Sequence, residues 1–367
     1  MRSRPVSFYV GDGWLNYLRA VGDRRYSSVT ASVPGGDLVS VSVWTPDGRT
    51  SPASGYRAAT LTGRESALDE DFLYLGPHRG YENQMSLADA DSTVDRTVAV
   101  ESAIAAVTRE ASDRGLAGTI IPYLDTADAR EIDDVVSGSS IPVLLDPTMT
   151  LDLPGDAFDD YLAGLGSKGS AKVRREIRKL ASTGLQSDHE SLAAVARELG
   201  PLVSNVQRRH GVDESPEDCV RGLEEQAAFC EQEAVVFSLR RPDDGTLVAA
   251  SVYYLGVGSM HSRMVGIDYD LARNGEYFFA NIYAPVRWAY ENGFRRIELG
   301  RKSESTKRER GAHPRPQWSV VVPTVGVGPG SADTAKRNAQ RLDLIRAELP
   351  TLAIEDVPHS WIEPAVV

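Results

Sequence analysis

The 367-residue sequence contains only two cysteines, Cys219 and Cys230. They lie eleven positions apart on a predicted helix, a spacing that fits neither a disulfide framework nor a metal site. We interpret both as buried or idle thiols of a protein in a reducing cytoplasm.

The sequence also lacks any apolar run long enough to cross a bilayer, so no membrane span is expected. Its first residues, MRSRPVSFYVGDGW, have no apolar core of the kind found in secretory signals. No Walker-type loop, zinc motif, nucleophile elbow or GxGxxG fingerprint is present. Kinase, metalloenzyme, hydrolase and dehydrogenase functions therefore have little support, and no metal is expected.

Positive charge is scarce overall, because 40 basic residues stand against 52 acidic ones and the net charge is −12. This balance argues against broad nucleic-acid binding, and no DNA partner is expected. One segment differs. The helix predicted at Phe158–Thr183 is bent at 164–169, and its part beyond the bend carries six positive charges counting from Lys168 and one carboxylate, Glu176. The six are Lys168, Lys172, Arg174, Arg175, Arg178 and Lys179. Such a run is either a solvated face or an anion site, with Lys172 and Arg175 as substrate-binding candidates.

The chain length predicts two domains, which we place at 1–150 and 151–367. In the first half, strands alternate with helices, as in an α/β domain. Segment 7–20 is predicted as a strand and a short helix, and 50–70 as a loop. The remaining predictions are strands at Ser27–Val33, Leu38–Trp44, Thr119–Leu124 and Ile141–Asp146, and helices at Asp95–Arg114 and Asp128–Val136.

A Gly-Pro-His-Arg-Gly run at 76–80 interrupts the first half. Its glycines allow close backbone approach, so His78 and Arg79 are candidate ligand contacts. An ordinary tight turn beside a strand end explains the same residues.

The second half reads as helices, a hairpin, a strand, a long helix and a strand. The predicted elements are helices Ser191–Val206 and Glu217–Cys230, strands Ala234–Leu239, Leu247–Leu255 and His261–Asp268, helix Gly275–Asn292 and strand Arg295–Gly300. Pro285 lies inside the long helix and is expected to kink it. A strand near Trp318–Val322, a Gly-rich link at 325–330 and a helix from 332 to 349 complete the chain.

Two segments carry a family resemblance. One is EYFFANIYAPVRWAYENGFRRIELG, followed by Lys307, Arg310-Gly311 and Pro314; the other is DYLAGLGSKGSAKVRREIRK. They resemble the FemAB-like branch of the GNAT acyltransferase superfamily, whose members end this region in a K-x-x-R-G-x-x-P pattern. The resemblance implies an α/β fold with α+β mixed sheets, built as tandem GNAT-like modules of which the first is degenerate.

GNAT folds bind the CoA pyrophosphate on a Gly-rich turn at a helix N-terminus. The equivalent segment here, 271–276, has a single glycine, and Glu276 would repel that anion. FemAB-like transferases use aminoacyl-tRNA as donor and attach an amino acid to an amine. The resemblance thus implies aminoacyl transfer from a tRNA acceptor end to a small-molecule or peptide amine, with no further cofactor.

This chemistry needs a proton acceptor for the amine and donors for the carbonyl. The candidates are Asp268, His261 and Tyr283 for catalysis, and Arg263, Lys307 and Arg310 for substrate binding. A structural role competes with most of these assignments. Asp268 could be a turn cap, His261 a hydrogen-bonded strand histidine and Tyr283 a packing residue of the helix. Lys307 and Arg310 could lie on a surface loop.

Two alternatives stay open. An N-acyltransferase would take its acyl group from CoA or a carrier, with the pantetheine arm beside Gly256 and Gly258. A non-catalytic protein would use the same modules to recognise a peptide or glycan.

Overall fold

The structure is a computed structural model that describes residues 7–22, 25–34, 38–46, 54–84, 95–137, 139–273, 275–324, 331–352 and 357–363. The chain folds into two compact units. One contains Met149–His313 together with Ser7 and Phe8, and the other contains Tyr9–Thr148 and Pro314–Val367. Each is built on one mixed sheet, which confirms the predicted fold class of two α/β modules.

The discontinuous unit has a six-stranded sheet in the order β1-β2-β3-β4-β13-β5. Its strands are β1 (Tyr26–Ser32), β2 (Leu38–Trp44), β3 (Phe72–Leu75), β4 (Gly118–Leu124), β5 (Ile141–Leu144) and β13 (Trp318–Pro323). Its helices are α1 (Asp12–Val21), α2 (Ala58–Thr62), α3 (Arg96–Asp113), α4 (Thr126–Val135), α12 (Ser331–Glu348) and α13 (His359–Ile362). Apolar clusters cover both faces of this sheet.

The C-terminal segment corrects the predicted division at residue 150. Strand β13 inserts between β4 and β5, antiparallel to both, and does not extend the second module. The Trp318 indole is fully buried and meets the Trp361 ring at 4.9 Å. The local apolar pattern of Trp318–Val322 predicts a strand correctly. It carries no information about which sheet will accept that strand.

Two further predictions for the first 70 residues were wrong. Segment 7–20 has no strand: Phe8–Val10 is a 3-10 turn and α1 follows it. The segment predicted as a loop contains α2, preceded by a short 3-10 turn at Ser54–Tyr56. Both are short helical pieces whose apolar residues pack against tertiary neighbours, so local periodicity is a weak signal for them.

The continuous unit has a seven-stranded sheet in the order β12-β6-β11-β10-β9-β8-β7. Its strands are β6 (Thr148–Asp152), β7 (Gln186–Glu190), β8 (Ala234–Arg240), β9 (Leu247–Leu255), β10 (Ser259–Ile267), β11 (Arg296–Glu298) and β12 (His313–Arg315). Its helices are α5 (Phe158–Gly164), α6 (Gly166–Ala181), α7 (Leu192–Arg209), α8 (Pro216–Cys230), α9 (Glu276–Phe278), α10 (Ala284–Glu291) and α11 (Glu304–Arg308).

A five-residue π-helix, Phe279–Tyr283, joins α9 to α10 and explains how the chain accommodates Pro285. Proline has no N–H and its ring clashes with the carbonyl four residues earlier, here that of Asn281. The Asn281 carbonyl instead accepts a hydrogen bond from the Tyr253 hydroxyl at 2.6 Å, and the Ala280 carbonyl accepts one from Ser251 at 2.6 Å. The strand beneath thus supplies donors where the helix loses them, and Pro285 sits in the first turn of α10.

The two cysteines are free thiols buried on α8, as predicted. Burial raises the pKa of Cys219 to about 11 and that of Cys230 to about 12, so neither forms a reactive thiolate near neutral pH. In the described part of the chain, no helix has the length and hydrophobicity needed to cross a membrane.

Candidate active site

The central feature of the seven-stranded sheet is an opening between two parallel strands. Strands β10 and β11 pair over three residues only: Ser259 with Arg296, Met260 with Ile297, and His261 with Glu298. Beyond this point β11 ends, whereas β10 continues to Ile267 along β9. The ladder between them therefore opens into a wedge whose apex is the His261–Glu298 pair.

A bulge in β10 begins immediately beyond the apex. The register of β10 against β9 shifts between Ser262 and Met264, so Arg263 is the extra residue. Bulges redirect side chains and are frequent beside active sites. Arg263, a predicted substrate contact, therefore lies at the mouth of the wedge, and its role there stays a prediction.

A polar row crosses the sheet at the apex. His261 on β10, Glu298 on β11 and Thr150 on β6 are consecutive register partners, so their side chains share one face. All three are buried, and the Thr150 hydroxyl donates to Glu298 Oε2 at 2.6 Å. A buried carboxylate beside a buried imidazole is the arrangement from which enzymes build proton acceptors.

His261 is neutral in this environment. Burial lowers its pKa to about 4, and the nearby Glu298 carboxylate opposes that shift. Its Nε2 atom lies 3.4 Å from the Phe8 backbone N–H, which donates to it, and 3.1 Å from the Ser259 hydroxyl. Because Nε2 accepts the backbone hydrogen bond, we assign the ring proton to Nδ1.

The low pKa of His261 predicts that the protein loses stability in mild acid. In the unfolded chain this histidine has a pKa of about 6.5, so below that pH it binds a proton that the folded protein does not bind. The contribution of His261 to the free energy of unfolding is therefore full above pH 6.5 and is lost as the pH falls toward 4. Between pH 7 and pH 5 the wild type should lose about 2 kcal/mol more unfolding free energy than His261→Gln. Urea denaturation at the two pH values measures this. Equal losses in both proteins would contradict the assignment, and His359→Gln, at an exposed histidine, is the control.

The π-helix Phe279–Tyr283 contacts β10 through Ser262, the residue that follows His261, and forms a wall beside the wedge. Ser262 Oγ donates to Asn281 Oδ1 at 3.0 Å, and the Asn281 amide donates to the Tyr277 hydroxyl at 3.4 Å. These bonds hold the start of the long helical segment against the strand that carries His261. They fix the wall of the wedge to the strand from which the apex is built.

Tyr283 belongs to a buried cluster rather than to the wedge apex. Its hydroxyl donates to Glu176 and accepts from Arg310 Nε at 2.8 Å. The Arg310 guanidinium binds both oxygens of Glu176, at 2.9 and 3.1 Å, and lies 3.5 Å from the centroid of the Phe278 ring. Burial is the main cause that raises the pKa of Tyr283, so the tyrosine keeps its proton.

This cluster corrects two predictions. Arg310 is 2% exposed, and three of its nitrogens are bonded within the protein, so it does not present its charge to a substrate anion. Tyr283 serves as a link between α6 and Arg310, not as a hydroxyl facing a substrate. Glu176, the one acid of the basic helix, is the partner that the sequence pattern did not single out.

Lys307 is likewise structural in its contacts. Its ammonium donates to the backbone carbonyls of Leu299, Gly300 and Arg301 at 2.7, 3.3 and 3.0 Å. Burial lowers its pKa to about 8, which leaves it charged at neutral pH. The three carbonyls belong to the chain that leaves β11, so Lys307 fixes the second edge of the wedge. The K-x-x-R-G pattern is therefore explained by support of the wedge instead of by anion binding.

Asp268 directly follows β10 and acts as a turn cap, the alternative raised from the sequence. Its Oδ1 accepts from the backbone N–H groups of Asp270 and Leu271 at 2.9 and 3.1 Å. It follows the last residue of β10, well beyond the wedge apex at His261. Its predicted catalytic role has no geometric support.

The other predicted contacts divide between the two units. Lys172 on α6 forms an ion pair of 2.6 Å with Glu309, whereas Arg175 is exposed. His78 is buried in the discontinuous unit, where its ring lies 4.5 Å from that of Trp44, and Arg79 is exposed with φ +60°. The ligand roles of Arg175 and Arg79 stay predictions, while His78 is part of an aromatic core.

The position at which a CoA pyrophosphate would bind holds a carboxylate, as the sequence predicted. Gly275 adopts φ +91° and precedes α9, whose first residue is Glu276. Glu276 is 2% exposed. A buried acid in the first helical turn opposes the binding of a second anion there.

A mixed sheet that opens between two parallel strands, with a long helical segment between them in sequence, is the arrangement expected of a GNAT-type fold. The comparison with protein families agrees: residues 167–308 match the model described as Acetyltransferase (GNAT) domain. Residues 167–308 are therefore similar to a GNAT domain, and the protein is an acyltransferase. Among curated protein sequences, none matches it.

Two solved structures resemble this protein in fold over most of its length. FemX is 8% identical with a TM-score of 0.59, and the match covers 88% of this chain and 93% of FemX. L-PGS from Bacillus licheniformis is 12% identical with a TM-score of 0.53, covering 86% of this chain and 93% of its own. The predicted resemblance to the FemAB-like branch is thus confirmed at the level of fold.

Proposed function

We propose that this protein transfers an aminoacyl group from aminoacyl-tRNA to an amine of a small-molecule or peptide acceptor in the cytoplasm. The amine nitrogen attacks the ester carbonyl, an amide bond forms, and the bond to the ribose oxygen breaks. The amine loses a proton and the released ribose hydroxyl gains one. No external oxidant, metal or further cofactor enters this balance.

The observation that carries the proposal is the buried Glu276 carboxylate at the position of a CoA pyrophosphate. It disfavours CoA while leaving the wedge open to a donor whose phosphates lie elsewhere. The fold shared with FemX supports the same donor class, because FemAB-like transferases take their amino acid from tRNA. Peptide amines are acceptors in that class, which guides the choice of substrates to test.

In this proposal the His261–Glu298 pair receives the proton of the attacking amine through the Ser259 hydroxyl, which lies 3.1 Å from His261 Nε2. A neutral imidazole next to a carboxylate can hold that proton as a stabilised ion pair. Thr150 orients the carboxylate through its 2.6 Å hydrogen bond. Lys307 and Arg310 keep the two edges of the wedge in place.

The donor is tested with purified protein, total tRNA charged with labelled amino acids, and candidate peptide and small-molecule amines. We expect labelled amide product that disappears when the charged tRNA is first digested with ribonuclease. Product that resists this digestion would refute a tRNA donor.

Acyl-CoA is assayed in parallel, because the matched family model is named for acetyltransferases. Turnover with acyl-CoA alone would replace the proposed donor. Binding of a peptide or glycan without turnover of any donor would favour the non-catalytic alternative.

A further inference from the structure

A groove of about 460 Å³ lies between α5, α6 and α10. Its apolar lining comes from Phe158, Leu162 and Ile177, and its polar lining from Arg174, Arg178 and Arg287, with Asp159 as the acidic residue. All of these residues belong to the continuous unit. Arg287 lies far along the chain from Arg174 and Arg178, so sequence proximity gives no hint of this grouping.

The charge of this groove is strongly positive for a protein whose net charge is −12. Asp159 is already engaged by Arg174 at 3.0 Å. Arg178 and Arg287 are exposed, and three arginines against one aspartate leave the lining an excess of two positive charges. An anionic partner is therefore the chemically complementary occupant.

The arrangement of Arg287 narrows the class of anion. Its guanidinium lies 4.7 Å from the centroid of the Phe158 ring, which holds this flat cation at the groove wall. A planar guanidinium on an aromatic ring offers both a stacking surface and a fork of donors that matches phosphate. Phosphates linked to flat bases, as in a nucleotide chain, use both properties.

The groove adjoins the supports of the wedge. Arg287 follows Tyr283 by four residues on one helical segment, about 6 Å along its axis. On α6, Glu176 binds Tyr283, while Arg174 and Arg178, two residues to either side, line the groove. A chain lying in the groove is therefore held by the two helical segments that also carry Glu176 and Tyr283 of the buried cluster.

We propose that this groove binds the sugar-phosphate backbone of an RNA strand near the acceptor end of tRNA, with Arg178 and Arg287 as the phosphate contacts. This inference rests on the proposed tRNA donor and deepens it by placing the RNA on a defined surface. The sequence-based expectation placed anion binding on the basic run of α6, with Lys172 and Arg175 as its candidates, and on Lys307 and Arg310; it did not include Arg287.

The test compares two double variants of the full chain for binding of uncharged tRNA. Arg178→Ala/Arg287→Ala should weaken binding about tenfold and reduce the slope of log K against log salt by about 1.4, as for two lost phosphate contacts. The control Lys168→Ala/Lys179→Ala removes the same charge from exposed positions of α6 outside the groove and should change binding little. Thermal unfolding of both variants verifies that they are folded.

Equal weakening in the two variants, or none in either, would overturn the groove assignment. The transfer assay separates this result from failure of the proposed function. Wild-type protein that binds tRNA through the groove without transferring from charged tRNA would refute the donor alone. Wild-type transfer with an unchanged KM for charged tRNA in Arg178→Ala/Arg287→Ala would refute the groove alone.

Discussion

Replacing Glu298 by Gln should reduce kcat by about 10²- to 10⁴-fold, the range that a positioned proton acceptor contributes. Gln keeps the size of the side chain and can accept the Thr150 hydrogen bond, but it cannot stabilise a protonated His261. The measurement is steady-state transfer at saturating donor, followed across pH. KM for the donor should stay near the wild-type value, because the substitution removes proton transfer rather than binding.

Glu291→Gln provides the matched control, since Glu291 is an exposed acid at the end of α10. It should leave both kcat and the pH profile unchanged. If Glu298→Gln keeps kcat within about twofold of wild type, the apex is not the source of the proton acceptor. If the loss of unfolding free energy in Glu298→Gln is as large as the free-energy equivalent of its loss in kcat, Glu298 is structural and the proposal for the apex fails.

The second large effect concerns the Arg310–Glu176 pair. Arg310→Met should cost about 3 kcal/mol of unfolding free energy, because it leaves the mostly buried Glu176 carboxylate without its guanidinium partner. Activity should fall with it, as α6, α11 and the π-helix lose their common anchor. Urea unfolding monitored by tryptophan fluorescence measures the loss.

Two further variants make this result interpretable. Arg295→Met removes an exposed ion pair with Asp156 and should cost less than about 1 kcal/mol. Arg310→Met/Glu176→Met removes both charges and should recover part of the loss, since a buried pair replaced by apolar side chains is often tolerated. A double variant less stable than Arg310→Met would contradict the interpretation.

Both effects depend on pairs that are distant in sequence. Glu176 and Arg310 are 134 residues apart, and Thr150 and Glu298 are 148 apart. A sequence pattern can place His261 on one strand and Glu298 on another. It cannot show that the two strands are neighbours, that these two residues are register partners, or that the pairing of the strands ends at them. An acid flanked by the apolar residues Ile297 and Leu299 on a predicted strand was the available signal for Glu298.

The basic residues illustrate the opposite error. Lys307 and Arg310 follow a family pattern and carry positive charge, so the sequence favours anion binding. Burial decides otherwise, because a charge removed from water must be satisfied by nearby groups, here backbone carbonyls and the Glu176 carboxylate. By contrast, Arg287 stands in a helix rich in aromatics, where no run of charge marks it, and it contributes to the positive groove.

The sequence by itself determined the α/β class, most helices and strands of the second half, and the unsuitable charge of Glu276 at a CoA position. These properties depend on local periodicity and residue type, which neighbouring residues are sufficient to define. Only the tertiary structure decided that β13 returns to the first sheet, that β10 and β11 part at His261 and Glu298, and that Lys307 and Arg310 support the wedge. Sheet order, register and burial are set by contacts between distant segments, and those contacts exist only in the folded chain.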